Sequence, residues 1–342
     1  MKTKLVYVLT CEPEATYIEQ ALMAVWSARY WNPDAHIVLL TDNKTSALLH
    51  AGDARGEILQ YISEEVVTTF DEDKNMHYRS RWLKTKAREL VKGDMLFIDC
   101  DTICCRSLDS VDSFDCEVGA VPDSHLPISE YNDDMFENIE SRARVLGWDI
   151  RREKYYFSSG VFYSKDIAET HELYRLWHIT WIKGIEQGVF ADQPSLAYAN
   201  IQCGHIIKKI PDSYNHILYT EFPSYKEAYI LHITAYRNPS ILFENKTLEN
   251  IKKNGLSDSR LRELVLSPST SFRPFDYEIL HSTFKQRLNW INSITKLENS
   301  CISSIIWMIR KRIHVFRHKD KIKDNICRKR RMDVFHQQYL DC

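Results

Sequence analysis

Short apolar, β-rich runs alternate with helical patterns through about the first 165 residues, and few architectures accept that order. Leu5 to Leu9 (LVYVL) and His36 to Leu40 (HIVLL) read as strands. Between them Tyr17, Ala21, Ala24, Val25 and Ala28 recur at helical spacing, and Asn32-Pro33-Asp34 closes the helix. Strand, helix, strand is a βαβ unit. A helix over Arg79 to Val91, a turn at Lys92-Gly93-Asp94 and a strand over Met95 to Ile98 continue the pattern. Val118 to Val121 and Val161 to Tyr163 are further short strands, and helices dominate from Lys165 to about Asn200. Ile206 to Ile210 and Tyr229 to His232 are late strands. The pattern predicts an α/β domain over residues 1–245, built on a mostly parallel, doubly wound sheet, followed by a helical, basic region over residues 246–342.

Composition removes several alternatives. With 44% hydrophobic and 27% charged residues over 342 positions, the chain is neither disordered nor fibrous. Its ten glycines argue against a Gly-rich phosphate cradle. Nine cysteines are scattered without a Cys-x-x-Cys, which suits a reducing cytosol better than a disulfide framework or a zinc site. The N-terminal apolar run meets Cys11-Glu12-Pro13 too soon for a signal peptide, and no stretch approaches the roughly 18 apolar residues of a membrane span. The expected location is the cytoplasm.

Charge is uneven, however. Arg310 to Arg331 carries eleven Lys/Arg against Asp320 and Asp324, a net +9 on a chain whose formal charge is −2. Ile302, Ile305, Ile306, Ile309, Ile313 and Phe316 form an apolar stripe that runs into this segment. One reading is an amphipathic basic helix on an anionic membrane surface, which would hold the protein peripherally on the inner face of the membrane. The other is a helical subdomain that packs the stripe on the body. Nothing else in the chain supports nucleic-acid binding.

The chemistry concentrates in Leu96-Phe97-Ile98-Asp99-Cys100-Asp101-Thr102, an apolar strand running into two carboxylates one residue apart. On extended backbone, positions i and i+2 project to the same side, so Asp99 and Asp101 can converge on one point. Two like charges so close at the end of a buried strand are costly without a cation between them. Mg²⁺ and Mn²⁺ take such oxygen ligands and complete their shells with substrate phosphates. Strand carboxyl ends are also where open α/β sheets place ligands. The alternative is that the two carboxylates cap a turn after the strand.

At these residues the sequence resembles the nucleotide-sugar-dependent glycosyltransferases of the GT-A fold, especially the glycogenin and lipopolysaccharide galactosyltransferase group (glycosyltransferase family 8-like). The resemblance spans roughly residues 4 to 240 as a series of short motifs in family order. It implies a mixed sheet flanked by helices, with a helical C-terminal extension. In the family the loop after the first strand holds the nucleotide base and ribose, here Leu9-Thr10-Cys11, with Tyr17 as a stacking ring. A basic helix before the Asp-x-Asp strand contacts the diphosphate, which points to Arg81 or Lys84; a solvated helix face is the other reading of that pair. Val118-Gly119-Ala120-Val121-Pro122-Asp123 resembles the strand that ends in a donor-sugar Asp, although Asp123 can equally be a turn residue. Phe157-Ser158-Ser159-Gly160-Val161 resembles the family's Phe-Asn-x-Gly-Val, with Ser158 in place of Asn. Asp192-Gln193-Pro194 resembles an Asp-Gln pair opening a helix, and it also satisfies ordinary helix-start rules. Finally, His232 to Ser240 resembles His-x-x-Gly-x-x-Lys-Pro-Trp, with Ala235, Asn238 and Ser240 replacing Gly, Lys and Trp.

The resemblance therefore implies an Mn²⁺ or Mg²⁺ ion on Asp99, Asp101 and His232. It implies a donor, a UDP-sugar, against Leu9, Thr10, Cys11, Tyr17, Arg81, Lys84, Cys100, Ser158, Gly160 and Arg237, and catalytic roles for Asp123, Asp192 and Gln193. The expected activity is transfer of a hexose from a nucleoside-diphosphate sugar to a saccharide or lipid-linked acceptor in surface polysaccharide synthesis, with retention carried over from the relatives. The substitutions at Ser158, Ala235 and Asn238 favour a competing class, a non-catalytic nucleotide-sugar or polysaccharide binding protein on the same fold. Intact Asp99, Asp101, Asp192, Gln193 and His232 oppose it. A sugar-phosphate nucleotidyltransferase ranks third, because Thr10-Cys11-Glu12-Pro13-Glu14 offers neither the glycine nor the base that class places after its first strand.

Overall fold

In chain order the strands are β1 (Lys4–Leu9), β2 (Ile37–Asp42), β3 (Glu64–Thr68), β4 (Met95–Ile98), β5 (Thr102–Cys104), β6 (Val118–Pro122), β7 (Phe157–Ser164), β8 (Ile207–Lys209), β9 (His216–Ile217) and β10 (Ile230–His232). The helices are α1 (Tyr17–Trp31), α2 (Asn43–Leu49), α3 (Met76–Leu90), α4 (Asp133–Val145), α5 (Ala168–Glu186), α6 (Gln193–Gln202), α7 (Asn245–Asn254) and α8 (Ser259–Leu266). This computed structural model describes residues 1–217, 227–233 and 240–268.

The main sheet has the order β3-β2-β1-β4-β7-β6-β8. Neighbours β3, β2, β1 and β4 pair in parallel, β7 runs antiparallel to both β4 and β6, and β8 is parallel to β6. The sheet is thus mixed, as the resemblance implies, with β7 reversing an otherwise parallel array. The apolar runs read from sequence lie in β1, β2, β4, β6 and β7. Their lack of alternation has a physical cause, because the central strands are covered on both faces. Leu5, Tyr7 and Leu9 of β1, Ile37 and Leu39 of β2, and Leu96 and Ile98 of β4 enter one core with α1. Val6, Val38, Leu40, Met95 and Phe97 enter the other core with Ala87 of α3, Trp177 of α5 and Leu196 of α6. One strand period of two thus feeds two cores.

Helix α1 is buried almost all round because helices also cover its outer side. Leu248 and Ile251 of α7 and Leu261 and Val265 of α8 join the core formed by α1 and the sheet. Among the described residues no helix is long and apolar enough to cross a membrane. The basic segment from Arg310 to Arg331, with its two readings, lies outside the described residues.

Several elements have no counterpart in the sequence reading, among them β3, α4 and β5. Strand β3 (EEVVT) is the sheet edge, and its Glu64 and Glu65 hide it from hydropathy. Helix α4 starts at Asn132, whose Oδ1 accepts the Met135 N–H at 3.0 Å, a cap preceding a mostly polar helix. Strand β5 is only three residues long, yet it founds a second sheet, β5-β10-β9.

The seam between α3 and α5 supports a pH prediction. His178 lies between Trp82 (5.9 Å between ring centroids) and Trp181 (6.0 Å), and its Nδ1 is 2.8 Å from Thr85 Oγ1. Burial, assisted by the Lys86 charge, lowers its pKa to about 4. The unfolded chain, with an ordinary histidine pKa near 6.5, binds a proton that the fold refuses. This contribution is therefore complete above about pH 6.5 and lost as pH falls toward 4. Allowing for partial exposure, it is about 1–2 kcal/mol. Urea unfolding at pH 7 and pH 4.5 should show a larger loss for wild type than for His178→Gln; equal losses would refute it.

Candidate metal and nucleotide-sugar site

The pair Asp99 and Asp101 lies in the turn joining β4 to β5, not on extended strand. The sequence argument from alternating projection therefore had the wrong local geometry, although the two carboxylates do converge. Thr102 Oγ1 donates to the Asp99 carbonyl at 2.8 Å, and the Asp99 N–H donates to the Gly160 carbonyl on β7 at 2.8 Å. The second sheet supplies the third group. In the antiparallel register of β5 and β10, His232 stands opposite Thr102, and the Ile233 N–H donates to the Asp101 carbonyl at 2.8 Å. A residue 131 positions away along the chain is thereby placed beside Asp101.

One ligand atom from each of Asp99, Asp101 and His232 lies within 4.8 Å of the others. His232 Nε2 is 3.0 Å from Asp101 Oδ1. The Asp99 and Asp101 side chains keep 31% and 28% exposure, so the cluster opens to solvent. Gly160 completes the enclosure by having no side chain. A Cβ there would lie 2.5 Å from His232 Cε1, 2.9 Å from Nδ1 and 3.0 Å from Asp99 Oδ2. Two hard carboxylate oxygens and one imidazole nitrogen suit Mn²⁺ or Mg²⁺, and the room left by Gly160 fits that donor set.

Cations on α3 face the same centre. Lys84 Nζ is 3.1 and 3.3 Å from the two Asp99 oxygens and 3.8 Å from Asp192 Oδ2. Arg81 Nε pairs with Asp192 Oδ1 at 3.1 Å, and Ser159 Oγ donates to Asp192 Oδ2 at 2.9 Å. Lys84 is buried and Arg81 is 41% exposed, each paired with a carboxylate of this centre. The electrostatics follow. Burial, together with the Asp101 charge, raises the Asp99 pKa against the pull of Lys84. Burial also works to raise Asp101, but the His232 charge and hydrogen bond hold its pKa below the usual range. Burial would lower His232, yet Asp101 outweighs it and raises the imidazole. For Asp192, burial is outweighed by Lys84 and Arg81, and the pKa is lowered.

The remaining sequence candidates fall at varied distances from this centre. Leu9, Thr10 and Cys11 follow β1; Thr10 Oγ1 donates to the Met76 carbonyl at the start of α3. The Cys11 N–H donates to Thr45 Oγ1, and its thiol faces the Glu12 and Ala15 carbonyls. Cys100 Sγ donates to the Val8 carbonyl at 3.2 Å, which sets the end of β1 beside the Asp-Cys-Asp turn and aims the thiol at β1. Tyr17 opens α1 and is 38% exposed. Asp123 follows β6, with Oδ1 accepting the Ser124 N–H at 3.1 Å. Gln193 begins α6 beside Asp192, and its Nε2 is buried with no hydrogen-bond partner among the described residues. Ser158 is buried, and its Oγ accepts from the Gly160 N–H at 3.2 Å and from Asn215 Nδ2 at 3.0 Å. Arg237 lies outside the described residues. Asn215 is the group sequence reasoning missed, and as a lone Asn before a two-residue strand it carried no motif to find it by.

No protein-family model matches the chain, and no curated protein matches it. Among solved structures, the galactosyltransferase LgtC, in complex with donor and acceptor sugar analogs, is similar at 14% identity, covering 81% of this chain and 98% of that one with a TM-score of 0.48. Mouse xyloside xylosyltransferase 1 is similar at 11% identity over 68% of this chain and 97% of that chain, TM-score 0.44. The glycosyltransferase GlyE of Streptococcus pneumoniae is similar at 15% identity over 80% and 66%, TM-score 0.46. These structural neighbours are glycosyltransferases.

Proposed function

We propose that this chain is a metal-dependent glycosyltransferase that moves a hexose, with retention, from a nucleoside-diphosphate sugar, a UDP-sugar, to a saccharide or lipid-linked acceptor. The observation that carries this reading is the convergence of Asp99, Asp101 and His232 under the cations of α3. Asp99, Asp101 and His232 would hold Mn²⁺ or Mg²⁺. When bound, such an ion supplies Lewis-acid neutralisation of the charge that builds on a diphosphate leaving group.

The protein's own groups account for the rest. Lys84 and Arg81, now paired with Asp99 and Asp192, are the cations nearest that diphosphate and share in stabilising its charge. The buried carboxylate of Asp192, kept ionised by those cations, faces the cationic character that develops at the sugar carbon, with Gln193 beside it and Asp123 at the end of β6. Leu9, Thr10, Cys11 and Tyr17 flank the base and ribose. The paired carboxylates, His232 and Asp192 are all present, which favours catalysis over the binding-protein alternative. The membrane reading of the basic segment remains part of the proposal, as the route to a lipid-linked acceptor.

Calorimetric titration of a panel of nucleotides and nucleotide sugars, with and without Mn²⁺, tests the proposal. Binding of one nucleoside-diphosphate sugar that strengthens with the metal is expected. Metal-independent binding, or none across the panel, would leave the binding-protein alternative or the fold alone.

A further inference from the structure

We infer that Asn215 is the positioning residue that fixes which ring nitrogen of His232 faces the Asp99–Asp101 pair. Asn215 is fully buried, with 0% exposure, just ahead of β9. Its Oδ1 lies 2.9 Å from His232 Nδ1, its Nδ2 donates to Ser158 Oγ at 3.0 Å, and its carbonyl accepts from His125 Nε2 at 2.9 Å. A carbonyl oxygen can only accept, so it places the proton on His232 Nδ1 and leaves Nε2, 3.0 Å from Asp101, as the end available to a metal. Ring-nitrogen partners of this kind fix the orientation and basicity of a metal-binding imidazole, and losing one typically lowers metal affinity by roughly 10–100-fold.

The amide has two faces, and the assignment of oxygen toward His232 is what Asn215→Asp probes. A carboxylate accepts from His232 Nδ1 in either orientation, while the Ser158 hydroxyl can turn to donate to it. Asn215→Leu keeps the volume and removes the acceptor. In this network Ser158 anchors the amide and, through the Gly160 N–H, the strand that leaves room for the site.

This inference rests on the metal reading above, and the experiment separates the two. Mn²⁺ affinity is measured by electron paramagnetic resonance on wild type, Asn215→Leu, Asn215→Asp, His232→Ala and Asn215→Leu/His232→Ala. Asn215→Leu should weaken Mn²⁺ by roughly 10–100-fold. Asn215→Asp should stay within about threefold of wild type or tighter, and Asn215→Leu should cause no further loss in the His232→Ala background. Equal affinity for wild type and Asn215→Leu, loss in Asn215→Asp matching that in Asn215→Leu, or full additivity with His232→Ala would overturn the role of Asn215 and leave the metal reading standing. No Mn²⁺ uptake by wild type would remove both. Should Asn215→Leu fail to fold, ¹⁵N-histidine spectra of the wild-type protein loaded with diamagnetic Zn²⁺ decide: a proton on His232 Nδ1 supports the inference, and ligation through Nδ1 overturns it.

Discussion

Asp101→Ala is expected to abolish metal-dependent sugar transfer and to reduce Mn²⁺ affinity by more than the roughly 10–100-fold attached to an outer partner. Asp101 does two things at once. It offers an oxygen to the cluster, and through the 3.0 Å contact it holds His232 in place. Its removal relieves the repulsion with Asp99 but also breaks the pair with His232, so thermal unfolding of the metal-free variant should fall below wild type while its far-UV circular dichroism stays that of the folded chain. Loss of activity in a folded protein is then assigned to the site. Turnover of a UDP-sugar at the wild-type rate by this variant would remove the metal from the mechanism.

Gly160→Ala should have an effect of similar size by a different route. The Gly160 backbone is open to any residue, so an added methyl meets no conformational penalty of its own. It meets His232 Cε1 at 2.5 Å and Asp99 Oδ2 at 3.0 Å, and one of the two must move. Displacement of about 1 Å at a reacting centre costs on the order of 100-fold in rate, and overpacking of this kind about 1–3 kcal/mol in stability. Both kcat/KM for transfer and the urea midpoint should fall. Wild-type Mn²⁺ affinity and turnover in Gly160→Ala would show that the space at Gly160 serves no ligand.

The parts of the fold legible in sequence were those with strong patterns. Buried central strands such as Met95–Ile98 read as unbroken apolar runs because both of their faces are covered, and the turn at Lys92-Gly93-Asp94 bounds one of them. The edge strand over Glu64–Thr68 was invisible, since a strand half in water carries charge. The site was legible through its family order, which picked out Asp99, Asp101 and His232 across more than a hundred residues of intervening chain. The local argument was weaker: Asp99 and Asp101 converge through a turn held by Thr102 and Gly160, which alternation along a strand does not describe. Asn215 was illegible because its role arises wholly from pairing β9 with β10.

The pairing of β5 with β10 has a consequence for how such a centre comes into being. Two of its three groups are made early in synthesis and the third more than a hundred residues later, on a strand of only three residues. A partly made chain therefore carries a pair of carboxylates with no imidazole beside them, and on the proposed metal reading tight capture would coincide with closure of a very long loop. Metal uptake during refolding would thus serve as a clock for the pairing of β5 with β10.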